Sequence, residues 1–316
     1  MQQKKILVIV LNRFTNDNRV LRQSRTLASA GSDVTVFALH EDQLPLREEL
    51  SLLHVRRFHL ITRPWSRNRI IQLFKYLECV LSMTAAGARL KPSAIHANDL
   101  NGLPIGYCIA CLTGAKLVYD SHELWSDTMH RRAFPKWMFN IGVRMERALA
   151  RRCDAVMTVS PSCAQEMAKS MGIPAPAVIR NLPVSTEVLT SLDTYRNPNA
   201  RSSPLHSQLG LASTVPLILH LGQIAAGRGL ETFLGAMVGV APPAVAVFLG
   251  GSAPTYREHL RSLAEALGIS KRVFFHDPVP PLEIYRYASG AAVGVALIVS
   301  ACLSYHYSLP NKTFEY

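Results

Sequence analysis

Short apolar runs alternate with longer amphipathic segments over the first 180 residues of the chain. The apolar runs are typical of buried strands and lie at Ile6–Leu11, Val34–Leu39, Leu53–Phe58, Ala94–Ala97, Lys116–Tyr119, Ala155–Val159 and Ala177–Ile179. Segments with helical spacing lie between them, at Asp17–Ala30, Arg67–Arg89, Gly102–Leu112, Lys136–Arg151 and Pro161–Met171. Because strands that alternate with helices form right-handed βαβ units, the pattern predicts an α/β domain with a parallel sheet.

The alternation stops between residues 183 and 214, where proline, serine and asparagine are common. It resumes with strands at Leu217–Leu221, Val245–Leu249, Val273–Phe275 and Val293–Ile298, and with helices at Gly229–Val240, Thr255–Leu267 and Pro281–Ala288. We predict a Rossmann-like domain at 1–182, a linker at 183–214 and a second Rossmann-like domain at 215–316, with the two domains facing a cleft. A doubly wound domain normally has more strands than the second one shows, so we expect that domain to be truncated at its C-terminal end.

The composition is that of a globular protein, with 48% hydrophobic and 18% charged residues among 316. The first apolar run is too short for a signal peptide, and polar residues interrupt the uncharged run from Tyr287 to Asn311. Cys108 and Cys111 have CxxC spacing without a second metal-binding pair, so we expect buried thiols there. These features predict a cytoplasmic protein.

The net charge of +12 is concentrated in the first part of the chain. Residues 1–190 contain 25 basic and 15 acidic side chains, a balance of +10, and residues 191–316 contain 9 and 7, a balance of +2. Arg63–Lys75 and Arg131–Arg152 combine cations with aromatic residues, which predicts peripheral contact with an anionic membrane or, alternatively, ordinary helices packed on the sheet. Because the sequence has no zinc spacing, RNA-binding motif or helix-turn-helix signature, nucleic acid is not an expected partner.

The segment Leu217–Glu231 is the strongest candidate for an anion site. An apolar strand ends at Gly222, a loop of small residues follows, and Arg228 stands where a helix is expected to begin. Free backbone N–H groups at a helix start attract anions, and a guanidinium adds charge-assisted hydrogen bonds. The segment therefore fits a phosphate or diphosphate, although an ordinary strand–turn–helix with a surface arginine has the same pattern.

Polar clusters follow two neighbouring predicted strands, at His96–Asp99 and Asp120–Glu123. Their spacing fits neither a metal site nor a Ser-His-acid triad. No G-x-G-x-x-G follows a strand, which argues against a dinucleotide oxidoreductase. Near the end of the chain, Lys312 could bind an anion and Glu315 could accept hydrogen bonds from ribose hydroxyls.

Several motifs together resemble one enzyme family. They are HANDLNGLP (96–104), LVYDSHELW (117–125), DAVMTVSPS (154–162), GQIAAGRGLE (222–231) and LPNKTFEY (309–316). They are similar to segments of the retaining GT-B glycosyltransferases of glycosyltransferase family 4. The resemblance covers nearly the whole chain and implies the α/β GT-B fold. It also implies a hexosyltransferase-like enzyme that moves a sugar from a nucleotide-diphosphate sugar to an acceptor hydroxyl with retention.

The resemblance also implies site residues. The candidate catalytic residues are His122, beside the donor sugar, and Arg228 and Lys312, on the donor diphosphate. The candidate donor-binding residues are Gly222, Gln223, Arg228, Lys312 and Glu315, of which Glu315 would bind the ribose. The candidate acceptor-side residues are Arg13, Asp99 and Glu123. We expect no metal and no cofactor, because Arg228, Lys312 and helix-start amides could stabilise the leaving diphosphate.

The chain also departs from the family pattern. Gln223 stands where an arginine is usual, and Tyr307 stands where the first glutamate of the usual E-x7-E pair would be. A non-catalytic relative that acts as a partner or regulatory subunit, or an inactive truncated fragment, is therefore an alternative, as is a sugar-nucleotide epimerase. For an enzyme, the expected acceptor is a saccharide or a lipid-linked molecule of cell-envelope or exopolysaccharide synthesis, on the inner face of the membrane.

Overall fold

The computed structural model describes residues 3–15, 17–66, 68–128, 135–182, 203–280, 283–309 and 312–315. The chain divides into two compact parts, unit 1 (Met1–Arg180) and unit 2 (Asn181–Tyr316). Most of the interval predicted as a linker lies outside the described residues, and its described part, from Ser203 onward, belongs to unit 2.

Unit 1 is built on an eight-stranded sheet with the order β3-β4-β2-β1-β5-β6-β7-β8. The strands are β1 Lys5–Ile9, β2 Asp33–Leu39, β3 Arg47–Leu50, β4 Leu53–Phe58, β5 Ala94–Asn98, β6 Lys116–Ser121, β7 Ala155–Thr158 and β8 Ala177–Val178. Neighbouring strands are parallel, as the alternation predicts, except that β3 pairs antiparallel with β4. The sequence analysis missed β3 because its residues, REEL, are mostly charged, as is common in edge strands.

Five helices of unit 1 are described, and the bounds of four are close to the predicted ones. They are α1 Asn18–Ser29, α2 Arg69–Leu90, α3 Asp99–Thr113, α4 Lys136–Ala150 and α5 Pro161–Met171. The Asp17 side chain caps α1 by accepting a hydrogen bond from the Val20 N–H at 3.1 Å. Helix α3 begins three residues before the predicted Gly102, directly after β5. This early start brings Asp99 into the first turn of α3.

Unit 2 is built on a four-stranded parallel sheet with the order β11-β10-β9-β12. Its strands are β9 Leu217–Leu221, β10 Val245–Leu249, β11 Val273–His276 and β12 Ala291–Gly294. Its described helices are α6 Pro204–Gln208, α7 Leu230–Met237, α8 Pro254–Ala266, α9 Ile284–Ala288, α10 Leu303–His306 and α11 Lys312–Glu315. The last strand is shorter than the predicted Val293–Ile298 and begins earlier, at Ala291.

Both faces of the unit 2 sheet are buried. Leu217, Leu219 and Leu221 of β9 contribute to the core on one face. On the other face, Phe248 of β10 packs with residues of α7 and α8. This two-sided burial explains why β9 and β10 are continuous apolar runs rather than alternating ones.

Two expectations from composition can be compared with the structure. Among the described helices, none combines the length and apolar character needed to cross a bilayer. The six cysteines are free thiols, but Cys111 is exposed and Cys108 is half-buried. The prediction that both would be buried was therefore wrong, because the side of α3 that carries these two cysteines faces solvent.

A buried carboxyl group joins α4 to the sheet. Glu146 is fully buried, and the Tyr119 hydroxyl donates a hydrogen bond to its Oε1 at 2.7 Å. Among the described residues, its other oxygen, Oε2, has no hydrogen-bond partner. Burial raises the pKa of Glu146 to about 7, against the Tyr119 hydrogen bond and with a further contribution from the Asp99 charge. The carboxyl group therefore ionises near neutral pH.

We predict that Glu146→Gln stabilises unit 1 at pH 8 and has a smaller effect at pH 5. The pKa of the group is above its ordinary value of 4.5 in the folded chain, so the stabilisation by its protonated form is lost as the pH rises toward 7. Glutamine keeps a partner for Tyr119 without ionising, and the expected gain at pH 8 is about 1–3 kcal/mol. Urea denaturation followed by tryptophan fluorescence measures this, because Trp65, Trp125 and Trp137 are the three tryptophans and all lie in unit 1. An effect of equal size at both pH values would contradict the prediction.

Candidate active site

The loop after β9 takes a shape that requires glycine at several positions. Gly222, Gly227 and Gly229 have φ angles of +95°, +80° and +68°, in the region that side chains disfavour. Gly229 is the N-cap of α7, so Arg228 lies directly before the first turn of this helix. The predicted strand–loop–helix arrangement around Arg228 is therefore present in unit 2.

Lys312 lies across the end of the same strand. A Cβ atom placed on Gly222 would come within 2.7 Å of Lys312 Cε and 3.1 Å of its Nζ. The Lys312 Nζ is 3.5 Å from Nε2 of His220, which lies two residues before Gly222. Gly222 is therefore needed both for its backbone conformation and for the space that the lysine side chain occupies.

His220 is buried beside Lys312, and both predicted cations affect its pKa. It is fully buried in β9, and its ring lies near that of Phe248, with the centroids 6.1 Å apart. Burial and the charges of Lys312 and Arg228 together lower the pKa of His220 to about 4, against the backbone groups of Gln223 and Val295. Lys312 thus contacts the imidazole from a distant part of the sequence, and the charge of Arg228 adds a smaller effect on the same ring.

A second glycine lets the ends of β9 and β10 approach closely. Gly250 follows β10 with φ +153°, and a Cβ atom there would come within 1.9 Å of the Gly222 carbonyl oxygen. The Gly222 N–H donates to the Leu249 carbonyl at 2.8 Å. Only glycine fits at position 250, so the first residue after β9 and the first after β10 both lack a side chain.

Unit 1 carries a separate polar cluster around Asp120, at the end of β6. This carboxylate is fully buried and receives two hydrogen bonds from Arg19 of α1, at 2.7 and 3.1 Å, and one from Gln23 at 2.9 Å. His96 and His122 each place Nε2 near Asp120 Oδ2, at 3.5 and 3.4 Å. Burial alone would raise the pKa of Asp120, but the neighbouring His122 and His96 rings and the hydrogen bonds from Arg19 hold it well below its usual range. Asp120 is therefore a buried anion.

His122 lies between two carboxylates. Its Nδ1 is 3.4 Å from Oδ2 of Asp99, and its backbone N–H donates to Oδ1 of Asp99 at 3.3 Å. Burial opposes protonation of the ring, but the adjacent Asp120 carboxylate and the charge of Asp99 outweigh it, so the pKa of His122 is raised. Asp99 has φ +58°, an uncommon conformation that places its carboxylate beside the histidine.

The remaining candidate residues have different surroundings. Arg13 is exposed beyond β1 and forms an ion pair with Glu41, which Arg63 also contacts at 3.2 Å. Glu123 is exposed next to His122, and Gln223 is exposed in the loop after β9. The side chain of Glu315, and residues 310, 311 and 316, lie outside the described residues. The acceptor-side candidates thus form two groups in unit 1, with Arg13 in one and Asp99 and Glu123 in the other.

The sequence analysis did not select His220, Gly250 or Arg19. A histidine within the otherwise apolar β9, LILHL, is a signal that could have been followed, as is the glycine pair after β10, VAVFLGG. Arg19 gives no such signal, because its partner Asp120 is 101 residues away in the sequence. In the described parts of the chain, no group of three or more His, Cys, Asp or Glu side chains could hold a metal ion.

Each unit contains a mainly parallel sheet with helices between its strands, which is the α/β architecture that the sequence predicts. Residues 17–187, more than half of the chain, match the sequence model of Glycosyltransferase Family 4, and the chain belongs to this family. A search of curated protein sequences returns no match.

Solved structures of glycosyltransferases share the fold at low sequence identity. A sucrose-phosphate synthase from Thermosynechococcus elongatus has a TM-score of 0.71 and 19% identity, over 93% of this chain and 75% of that one. HepE from Anabaena, in complex with UDP and glucose, has a TM-score of 0.67 and 17% identity, over 94% and 74%. The catalytic domain of starch synthase IV from Arabidopsis thaliana, bound to ADP and acarbose, has a TM-score of 0.66 and 12% identity, over 93% and 78%. These similarities confirm the predicted fold class.

We predict that Asp99→Asn lowers the pKa of His122. The variant removes one of the two negative charges beside the ring, and asparagine tolerates a positive φ as well as aspartate does, so the backbone is preserved. The pKa can be followed by NMR titration of histidine ring protons, with His122→Gln identifying the resonance. Asp42→Asn, at an exposed carboxylate of unit 1, is the control and should leave the titration unchanged. An unaltered His122 titration in Asp99→Asn would contradict this account.

Proposed function

We propose that the protein transfers a sugar from a nucleotide-diphosphate sugar to an acceptor hydroxyl with retention of configuration. The observation that carries the proposal is the position of the Lys312 ammonium over Gly222, 3.5 Å from His220 Nε2, at the end of the strand whose following loop carries Arg228. Two cations near one strand end, beside glycines that leave the backbone open, suit a diphosphate. The Family 4 match and the UDP and ADP complexes of similar structures support the same choice of donor.

In the proposed reaction, the bond between the sugar and the diphosphate breaks, the acceptor oxygen bonds to the sugar, and the leaving diphosphate gains negative charge and takes up the hydroxyl proton. Lys312 and Arg228 lower the energy of that charge as it develops, with help from backbone N–H groups at the start of α7. The proposed mechanism uses no metal ion, because these groups provide the positive charge. Gln223 contributes a neutral side chain where related sequences usually have an arginine, so the charge of Lys312 matters more in this chain.

His122 is proposed to contact the donor sugar rather than to act as a nucleophile. Its ring is held by Asp99 on one side and Asp120 on the other, and Asp120 is fixed in turn by Arg19. The raised pKa keeps more of the imidazole protonated, and therefore a hydrogen-bond donor, near neutral pH. Arg13, Asp99 and Glu123 are proposed to face the acceptor, a saccharide or lipid-linked molecule of envelope or exopolysaccharide synthesis.

We predict that UDP, GDP or ADP binds the full chain in calorimetric titrations, and that Arg228→Ala and Lys312→Ala each weaken binding at least about tenfold. Each variant removes a charged contact to the diphosphate. The rate of nucleoside diphosphate release from the matching nucleotide sugar should fall by about 10² to 10³ in Arg228→Ala. Lys271→Ala removes an exposed lysine of unit 2 and is the matched control, which should behave like the wild type.

Two results would contradict the proposal. If none of the three nucleotides binds the wild type, the non-catalytic alternative, which Gln223 and Tyr307 also favour, replaces it. If a nucleotide binds but neither Arg228→Ala nor Lys312→Ala weakens binding, the donor diphosphate lies elsewhere. Circular dichroism of each variant shows whether the fold is retained.

We further propose that unit 1 contacts an anionic membrane surface on the cytoplasmic side. Helix α3 packs against both α2 and α4. Helix α2 exposes Leu73, Phe74, Leu77 and Leu81 at helical spacing, and α4 exposes Trp137 and Ile141. The exposed cations Lys136 and Arg144 lie on α4 beside this apolar pair. Arg131, Arg132 and Phe134, which the sequence analysis included in the same segment, lie outside the described residues. Apolar side chains next to cations suit a bilayer that carries negative charge.

We predict that the protein sediments with vesicles containing phosphatidylglycerol and not with vesicles of phosphatidylcholine alone. Added salt should reduce the bound fraction, because exposed charges are screened. Leu77→Gln and Trp137→Gln should each reduce binding severalfold, since each removes apolar area from the surface. Val238→Gln, at an exposed apolar residue of unit 2, is the control and should leave binding unchanged. Equal sedimentation with both vesicle types, or none with either, would rule the membrane contact out.

A further inference from the structure

We infer that His220 is a positioning residue that holds the Lys312 ammonium over Gly222, ready to meet the diphosphate of a nucleotide. The inference rests on the proposed donor site and assigns a role in it to a residue that the family motifs do not include. His220 stands two residues before Gly222, within an otherwise apolar strand.

The geometry determines which atoms can interact. An ammonium group only donates hydrogen bonds, so Lys312 Nζ, 3.5 Å away, can donate to Nε2 of His220 only if that ring nitrogen carries no hydrogen. The ring hydrogen is then on Nδ1. His220 thus presents an acceptor, in a buried position, to a lysine whose carbon chain passes over a residue without a side chain.

The surroundings keep this acceptor available. Burial and the positive charges of Lys312 and Arg228 lower the pKa of His220 to about 4, so the ring is neutral at physiological pH. A neutral ring can accept from the ammonium, whereas a protonated ring would repel it. The side chain cannot shift far, because it is fully buried and its ring lies near Phe248.

A long, flexible lysine loses conformational freedom when it binds a ligand, and an earlier contact reduces that cost. The two residues below Lys312 restrict it in different ways. Gly222 provides the space for its chain, and His220 directs its terminal group. Loss of the acceptor should therefore weaken diphosphate binding through Lys312, and not through the fold of unit 2.

A double-mutant cycle on the full chain tests the inference, with UDP, GDP and ADP as probes. His220→Phe keeps a ring without an acceptor and should weaken binding of the preferred nucleotide by about five- to tenfold. In a Lys312→Met background, the same substitution should change the affinity by no more than about twofold, because the group it directs is gone. His220→Gln places an acceptor near the position of Nε2 and should recover most of the affinity.

A structural control and a second measurement separate the outcomes. His206 is another buried histidine of unit 2, whose Nε2 pairs with the Val215 carbonyl, and His206→Phe should leave nucleotide affinity unchanged. Nitrogen-15 NMR of the histidine rings, without nucleotide, should show His220 as the neutral tautomer protonated at Nδ1, which tests the contact even in a chain that binds no nucleotide.

The other possible results would each overturn either the role of His220 or the donor site as a whole. An Nε2-protonated tautomer, or equal losses from His220→Phe in both backgrounds, overturns the role of His220 and leaves the donor site intact. An unchanged affinity in His220→Phe, while Lys312→Met weakens binding, does the same. If no nucleotide binds the wild type, the proposed function and the positioning role toward a diphosphate are overturned together, even if the Nδ1-protonated tautomer is found.

Discussion

A buried, neutral imidazole beside the Lys312 ammonium is the constraint on which the donor loop depends. Lys312 and Arg228 both disfavour a proton on His220, and burial disfavours it as well. The three basic side chains Lys312, Arg228 and His220 therefore carry two positive charges rather than three. The same electrostatics that keeps His220 neutral favours a diphosphate at the end of β9.

Most of the fold could be predicted from sequence, because buried parallel strands are short, continuous apolar runs and the helices between them are capped by local residues. The failures have physical causes. Strand β3 is a charged edge strand, stabilised by pairing with β4 rather than by burial. Helix α6 has only five residues and lies in a segment rich in proline and serine, where no periodic pattern can be seen. Local signals describe such elements poorly, because tertiary contacts decide them.

The candidate site could be predicted only where a motif is local. The loop Gly222–Gly229 is recognisable because its glycines and Arg228 are contiguous in sequence. The surroundings of each functional side chain were not predictable, because they come from distant segments. Arg19, from α1, joins His122 and His96 in keeping Asp120 charged, and Lys312 adds to the burial that keeps His220 neutral. A polar residue inside an apolar strand indicates that a partner exists, but only the fold shows which partner it is.

Net charge and local charge placement have separate consequences in this protein. Unit 1 contains most of the basic excess, yet two of its arginines are buried, Arg19 against Asp120 and Arg57 against Glu48. Those two guanidiniums stabilise the fold and contribute little to an external partner. Unit 2 has almost no net charge, but two of its few cations act on one strand end. Exposed charges are screened over about 8 Å at physiological salt, and partly buried ones are screened less. Ionic strength should therefore weaken contacts at the surface of unit 1 more than contacts to a diphosphate at β9.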